Sequence, residues 1–353
     1  MRIGFDARMV AHSGIGTYSR EILNRLTAGD AFDFTLFGDP AKIGDFMALK
    51  VRCDYPIYSL KEQLLLSNLM ARHAFDLAHF PHYNAPLGYR KPFVVTVHDC
   101  IHLIYPKSRL AYLYAKTLMQ SACRKSRIVI TDSQHTKNDL MRLLGLPENK
   151  IRVIHPGVSE RWRTQADEAR KNRASAGPMF AGEYALYVGN VRSSKNIENL
   201  MRAYEKASEG RKLRLILAGK NFMPDWTARF KGRDDVLFLG EVSDPTLVRL
   251  YANAKLFIFP SLYEGFGLPP LEAMASGVPV ICSNAASLPE VAGDAALLFD
   301  PRDVSTLAAH ILKLWDDAAL RNALIEKGYA NAARFSWNKC AEEVAGVYRE
   351  ALR

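Results

Sequence analysis

Cysteine is scarce, and its spacing pairs nothing. The five residues, Cys53, Cys100, Cys123, Cys282 and Cys340, are odd in number, scattered, and free of any C-x-x-C. That excludes a disulfide framework or a cysteine zinc site and fits a reducing compartment. No apolar run reaches membrane-spanning length, and MRIGFDARMV puts Asp6 and Arg8 where a signal peptide needs its apolar core. A cytoplasmic protein is expected. Asp-x-Asp, H-E-x-x-H and G-x-S-x-G are all missing, so neither a zincin nor a serine-hydrolase centre is indicated, and no metal or cofactor is expected. Short-period repeats and low-complexity tracts are absent too.

What remains is ordinary globular material: 353 residues, 48% hydrophobic and 24% charged, a length that favours two domains. Apolar runs (RIGFDA, FDFTLFG, DLAHF, FVVTVHD, RIVITDS, RVIHP) alternate with helical patterns such as TYSREILNRL and TKNDLMRLLG. The alternation resumes with YALYVGN, KLRLILAGK, DVLFLGE, KLFIFPS, VPVICSN and AALLFD. Strands separated by helices mean parallel sheets covered on both faces. The α/β reading is therefore two doubly wound domains, residues 1–165 and 166–335, facing across a cleft, with residues 336–353 as a closing helix. Residues 160–183, polar and without strand signal, read as the linker.

Charge is uneven. Of the net +10, residues 1–165 hold 23 Lys+Arg against 14 Asp+Glu, giving +9, and the remaining 24 against 23 give +1. Residues 100–131 carry six cations (Lys107, Arg109, Lys116, Arg124, Lys125, Arg127) and no acid, interleaved with Tyr105, Tyr112 and Tyr114. Such a stretch suits an anionic membrane surface or a nucleic acid, and equally a solvated helix face. No recognisable nucleic-acid motif accompanies it, so no nucleic-acid partner is expected.

Candidate chemistry collects where the chain leaves a strand, as ligands do in open parallel sheets. Gly14 and Gly16 follow the first run, His98 and Asp99 follow FVVTV, Gly189 and Asn190 follow YALYV, Gly219 and Lys220 follow LRLILA, and Glu264 follows LFIFPS. EGFGLPPLE, residues 264–272, sets two carboxylates around a Gly- and Pro-rich turn into a helix. It reads either as a site for a polyol or charged ligand or as a loop closed by glycines and a capping Glu. Glu272, placed on the first turn of that helix, can accept from ribose hydroxyls or simply complement the helix dipole. GNVRSSKN offers Arg192 and Lys195 beside a helix start at Asn196, fit to neutralise a diphosphate. SGIGTYS nearly matches a dinucleotide fingerprint, but Ser19 stands at the third glycine and seven residues separate it from the strand. It reads instead as a flexible loop of Gly14, Gly16 and Tyr18 reaching into the cleft. His98 reads as a contact to a sugar hydroxyl or the reacting centre, or as a structural strand-end histidine.

Taken together, PSLYEGFGLPPLEAMASGVPVICSN, GNVRSSKN, GIGTYSREIL, VTVHD and FSWNKCAEEVAGVYREAL resemble the retaining, GT-B glycosyltransferases of family 4, and the match runs end to end. The resemblance implies that Glu264 faces a donor sugar, that Glu272 meets the nucleotide ribose, and that the Gly265, Phe266, Gly267 and Leu268 backbone meets the diphosphate or sugar. Lys195 matches the family's phosphate lysine; Arg192 is offset, with Ser194 at the usual position. His98 matches the active-site histidine, Gly14, Gly16 and Tyr18 the acceptor-side loop, and residues 336–353 the helix crossing back to the first domain. The mannosyltransferase-like members that build bacterial surface polysaccharides are the most similar. The resemblance implies transfer of a sugar, best read as mannose from GDP-mannose, from a nucleotide-sugar donor to a glycan or lipid-linked acceptor, metal-free and with retention, at a peripheral position on the membrane. A sugar phosphorylase or a sugar-nucleotide epimerase shares such an architecture, since fold alone does not fix chemistry.

Overall fold

The computed structural model describes residues 1–159, 161–176, 180 and 182–353, with only the backbone of 172–176. The described chain divides into two compact units, Met1–Gly157 with Ser336–Arg353, and Val158–Phe335.

The first unit is built on β1 (Arg2–Asp6), β2 (Asp33–Gly38), β3 (Leu49–Arg52), β4 (Leu77–Phe80), β5 (Phe93–Val97), β6 (Val129–Thr131) and β7 (Ile151–Val153). They form one parallel sheet in the order β3-β2-β1-β4-β5-β6-β7. FVVTV and LAHF are buried at every position, which is why they read as continuous apolar runs: helices cover both faces of a parallel sheet. Edge strand β3, LKVR, is exposed or half-buried throughout and carries no such signal. The strand order reverses at the β1–β4 neighbours, the switch point where doubly wound sheets bind ligands. The closing helix Trp337–Ala351 starts on Ser336, whose side chain accepts from Asn338 N. It buries Trp337, Cys340, Val344 and Tyr348 against this unit, packing on the helix Ile15–Leu26.

The second unit repeats the plan with β8 (Ala185–Val188), β9 (Leu215–Ala218), β10 (Val236–Gly240), β11 (Leu256–Phe259), β12 (Val280–Ser283) and β13 (Ala296–Phe299). Their order is β10-β9-β8-β11-β12-β13, again parallel, with the reversal at β8–β11. Residues 160–183, expected as a linker, contain a helix, Arg161–Ala176; Glu160, residues 177–179 and Ala181 lie outside the described residues. Trp162 and Ala166 of that helix are buried, Trp162 within the second unit's core. Two apolar side chains four apart suffice to dock a polar helix, so the second unit begins at Val158 rather than 166.

Candidate functional site

Three loops leave the carboxyl ends of β9, β8 and β11, which are neighbours in the second sheet. The backbone ties them together. Gly189 N donates to Ala218 O (2.8 Å), Val191 N to Lys220 O (2.9 Å), Phe222 N to Val191 O (3.0 Å), and Leu262 N to Ser194 O (3.0 Å). At Gly219, φ is +140° and an added Cβ would lie 2.1 Å from Gly189 O, so only glycine lets these two loops touch. Asn196, in a left-handed turn, donates to Pro260 O (3.1 Å) and Pro301 O (2.7 Å), fixing the start of the helix Ile197–Ser208. The sequence places Asn196 at a helix start; its tethering role depends on residues more than sixty positions away.

Into this frame the chain sets its charges. Lys195 Nζ donates to Glu264 Oε1, and both side chains are largely buried; the ammonium also lies 5.6 Å from the Phe259 ring centroid. The sequence reading assigned the two residues to different parts of a ligand, and the structure joins them directly. Arg192 stacks its guanidinium 4.7 Å from the Phe222 ring, with Lys220 5.7 Å from the same ring. Arg192 Nε and the buried Ser194 Oγ and Ser261 Oγ have no hydrogen-bond partner among the described residues. Buried polar atoms left without partners at loop ends are what a bound ligand satisfies.

The loop between the carboxylates is held from behind. Ser287 Oγ donates to Phe266 O (2.7 Å) and contacts Glu264 O (3.0 Å), while the Phe266 ring packs on Phe335 at 5.5 Å. Phe266 is therefore core, and Gly265, Phe266 and Gly267 can offer a ligand only backbone. Ser287 was missed by sequence reasoning, although it too follows a strand, β12. Glu272 falls on the second turn of the helix Leu268–Ala275, not the first, because the helix already starts at Leu268 after Gly267 in a left-handed conformation. The dipole explanation thus loses its geometry, since the effect fades beyond the first turn. Burial pushes the Glu272 carboxyl up to about 7, and it accepts from Tyr251 Oη at 3.2 Å.

In the first unit His98 follows β5, with Nδ1 2.7 Å from Asp132 Oδ2 and Nε2 3.0 Å from Pro81 O. Burial disfavours the ring's charge, but the Asp132 carboxylate more than offsets it and the pKa is raised. A carbonyl only accepts, so Nε2 carries a proton toward Pro81 and is not a free base. Asp132, at the end of β6, was another strand-end residue that sequence reasoning passed over. Gly14 caps the helix Ile15–Leu26, so Gly16 and Tyr18 are helical, not part of a flexible loop. Gly16 allows that helix to start against the preceding turn, since a Cβ would lie 2.5 Å from Val10 O. Tyr18 is buried, its ring edge-on to His98 at 4.9 Å and its Oη 3.2 Å from Thr96 Oγ1. Thr96 Oγ1 in turn contacts His79 Nε2 (2.8 Å), and His79 Nδ1 contacts Tyr348 Oη (2.6 Å). A buried polar chain thus runs from the closing helix to the support of His98.

The basic stretch does not form one patch. Apart from Lys116, midway along and over the Tyr112 ring, its cations lie toward the two ends of the helix Arg109–Lys125, about 25 Å long. Lys107 and Arg109 sit at its start beside exposed Tyr105, Leu110 and Leu113. At the other end Lys125 and Arg127 join Arg90, Lys91 and Lys150 around a cavity of about 470 Å³. Among the described residues no helix is long and apolar enough to cross a membrane, and no group of three or more His, Cys, Asp or Glu could hold a metal ion.

Comparison with known proteins bears on both the family and the fold. The family model described as Glycosyltransferase Family 4 matches residues 13–162, and that described as Glycosyl transferases group 1 matches residues 170–331. O-antigen chain mannosyltransferase B of Escherichia coli is 32% identical, with 99% of this chain and 100% of that protein covered. An O-antigen chain mannosyltransferase of Salmonella typhimurium is 29% identical over 63% of this chain and 60% of that protein. Among solved structures, an Anabaena protein in complex with UDP and glucose superposes with TM-score 0.79 at 20% identity, covering 99% of this chain and 100% of that one.

Proposed function

The chain belongs to glycosyltransferase family 4, and from that premise we propose that it transfers mannose from GDP-mannose, with retention, to a hydroxyl of a glycan or lipid-linked acceptor in surface-polysaccharide assembly. The mannosyl and polysaccharide parts rest on the names of the O-antigen relatives; GDP is the carrier that mannose implies. The observation that carries the reading is the Lys195–Glu264 pair inside the stitched loops of the second sheet's switch point. The donor diphosphate displaces Glu264 from the Lys195 ammonium and takes Arg192 as its second cation. Both stabilise the charge that grows on the leaving group.

Freed from Lys195, Glu264 turns to the donor sugar, while Glu272 accepts from the two ribose hydroxyls. The backbone of residues 265–267 lines the sugar and diphosphate. Attack comes from the face the nucleotide leaves, and the departing phosphate takes the acceptor proton. His98, with Nε2 committed to Pro81 O and Nδ1 facing Asp132, is oriented by both partners and offers no free ring nitrogen as a proton acceptor. Peripheral attachment to anionic membrane goes through Lys107 and Arg109 with their exposed apolar neighbours.

The test is a donor screen of GDP-, UDP- and dTDP-sugars with purified protein. GDP-mannose should be slowly hydrolysed alone and should yield an α-linked product with acceptor. Failure to bind any sugar nucleotide, or formation of sugar phosphate from glycan and phosphate, would contradict the reading.

A further inference from the structure

At the carboxyl ends of β4 and β5, beside the first sheet's switch point, a group of aromatic side chains has no role in the reading above. Its centre is Tyr58, whose φ is +63°, a left-handed conformation that a bulky side chain adopts only under constraint. Tyr58 N donates to Glu62 Oε2 at 2.8 Å, and Ser59 Oγ accepts from Glu62 N at 3.2 Å, capping the helix Leu60–Ala71. Glu62 is fully buried and is itself pinned by Arg8 at 2.7 Å, which also holds Asp6 at 2.6 Å at the end of β1. A buried ion network thus fixes the backbone of an aromatic residue whose side chain stays partly exposed.

Tyr58 is 43% exposed and Tyr114 41%. The Tyr58 ring centroid lies 5.8 Å from His82 and 6.4 Å from each of Tyr83, His102 and Tyr114. His82 and Tyr83 are buried and form the floor; Tyr58, His102 and Tyr114 are exposed and form the rim. A rigid aromatic surface bearing phenol and imidazole groups suits a ligand with C–H faces and hydroxyl edges. A sugar ring has both: its axial C–H bonds lie on an aromatic face while its hydroxyls reach polar groups at the rim. A lipid chain has no use for the polar edges.

We propose that this aromatic surface, centred on Tyr58, seats a sugar ring of the acceptor, which makes the acceptor's terminal portion a glycan rather than bare lipid. The proposal deepens the glycosyltransferase reading and rests on it. The surface orients the acceptor, and Tyr58 is a positioning residue that leaves donor chemistry untouched.

The test titrates α-linked mannotriose, free of lipid and without donor, into protein carrying ¹³C-labelled tyrosine, and follows ring resonances and saturation transfer to the sugar. In the wild type, Tyr58 and Tyr114 resonances should shift together. Tyr58→Asn, which suits the left-handed backbone but lacks the ring, should weaken binding at least tenfold, and Tyr58→Phe should restore it. Should Tyr58→Asn fail to fold, Tyr114→Ala on the exposed helix face should weaken binding severalfold. In turnover, Tyr58→Asn should raise the acceptor KM with little change in donor KM. Equal mannotriose affinity in wild type, Tyr58→Asn and Tyr114→Ala overturns the proposal, as does binding of a detergent-solubilised prenyl diphosphate but no oligosaccharide. Nucleoside diphosphate binding, measured on the same samples, separates the two ideas. If it persists while mannotriose binding fails, only the acceptor proposal falls; if it is absent, the proposed function falls.

Discussion

Glu264 and Glu272 look alike in the sequence and stand in different physical situations. Glu264 is paired with a cation, so its removal frees Lys195 for phosphate. Glu264→Gln should therefore bind nucleoside diphosphate at least as tightly as wild type while turnover falls by one to two orders of magnitude, measured by titration and by initial rates. Glu272 is desolvated, with its carboxyl pushed up to about 7. The form that accepts from ribose hydroxyls is the ionised one, which becomes scarce as pH falls through that value. Nucleotide affinity should drop about tenfold between pH 8 and pH 6, because binding must first remove the proton. Glu272→Gln should be weaker at every pH and flat across this range. A wild-type profile as flat as that of Glu272→Gln would detach the residue from the ribose.

The scale of loops and helices brings its own tests. Gly219→Ala places a methyl group 2.1 Å from Gly189 O, so the β8 and β9 loops must separate. A stability loss of about 2 kcal/mol or more is expected in denaturant titrations, with weaker nucleotide binding. The helix Arg109–Lys125 separates two clusters that the sequence presents as one. Lys107→Gln with Arg109→Gln should weaken sedimentation with anionic vesicles, because these cations flank exposed Tyr105, Leu110 and Leu113. Lys125→Gln with Arg127→Gln, at the cavity end, should change it little. The reverse result would place the membrane contact at the cavity end. Each Lys or Arg near an anionic surface is worth about 1 kcal/mol, so losing two should shift binding more than tenfold at low salt.

For the whole molecule, legibility followed burial. FVVTV and LFIF lie between helix layers and show as unbroken apolar runs, and with them came the carboxyl-end loops and the residues in them. β3, an edge strand facing solvent, and the helix Arg161–Ala176, docked by Trp162 and Ala166, lacked the density of apolar residues that marks an element. Side-chain partnerships were hidden for another reason. Arg8 with Glu62, or His79 with Tyr348, are joined only by the fold, and nothing in their local sequence distinguishes them from solvated residues. The central claim is that the second unit binds a nucleoside diphosphate through Lys195. Isothermal titration of GDP, UDP and dTDP into wild type and Lys195→Ala, with folding checked by circular dichroism, tests it most directly. The account predicts micromolar binding of one of them, with GDP tightest, and at least a tenfold loss in Lys195→Ala; equal affinities in the two folded proteins would contradict it.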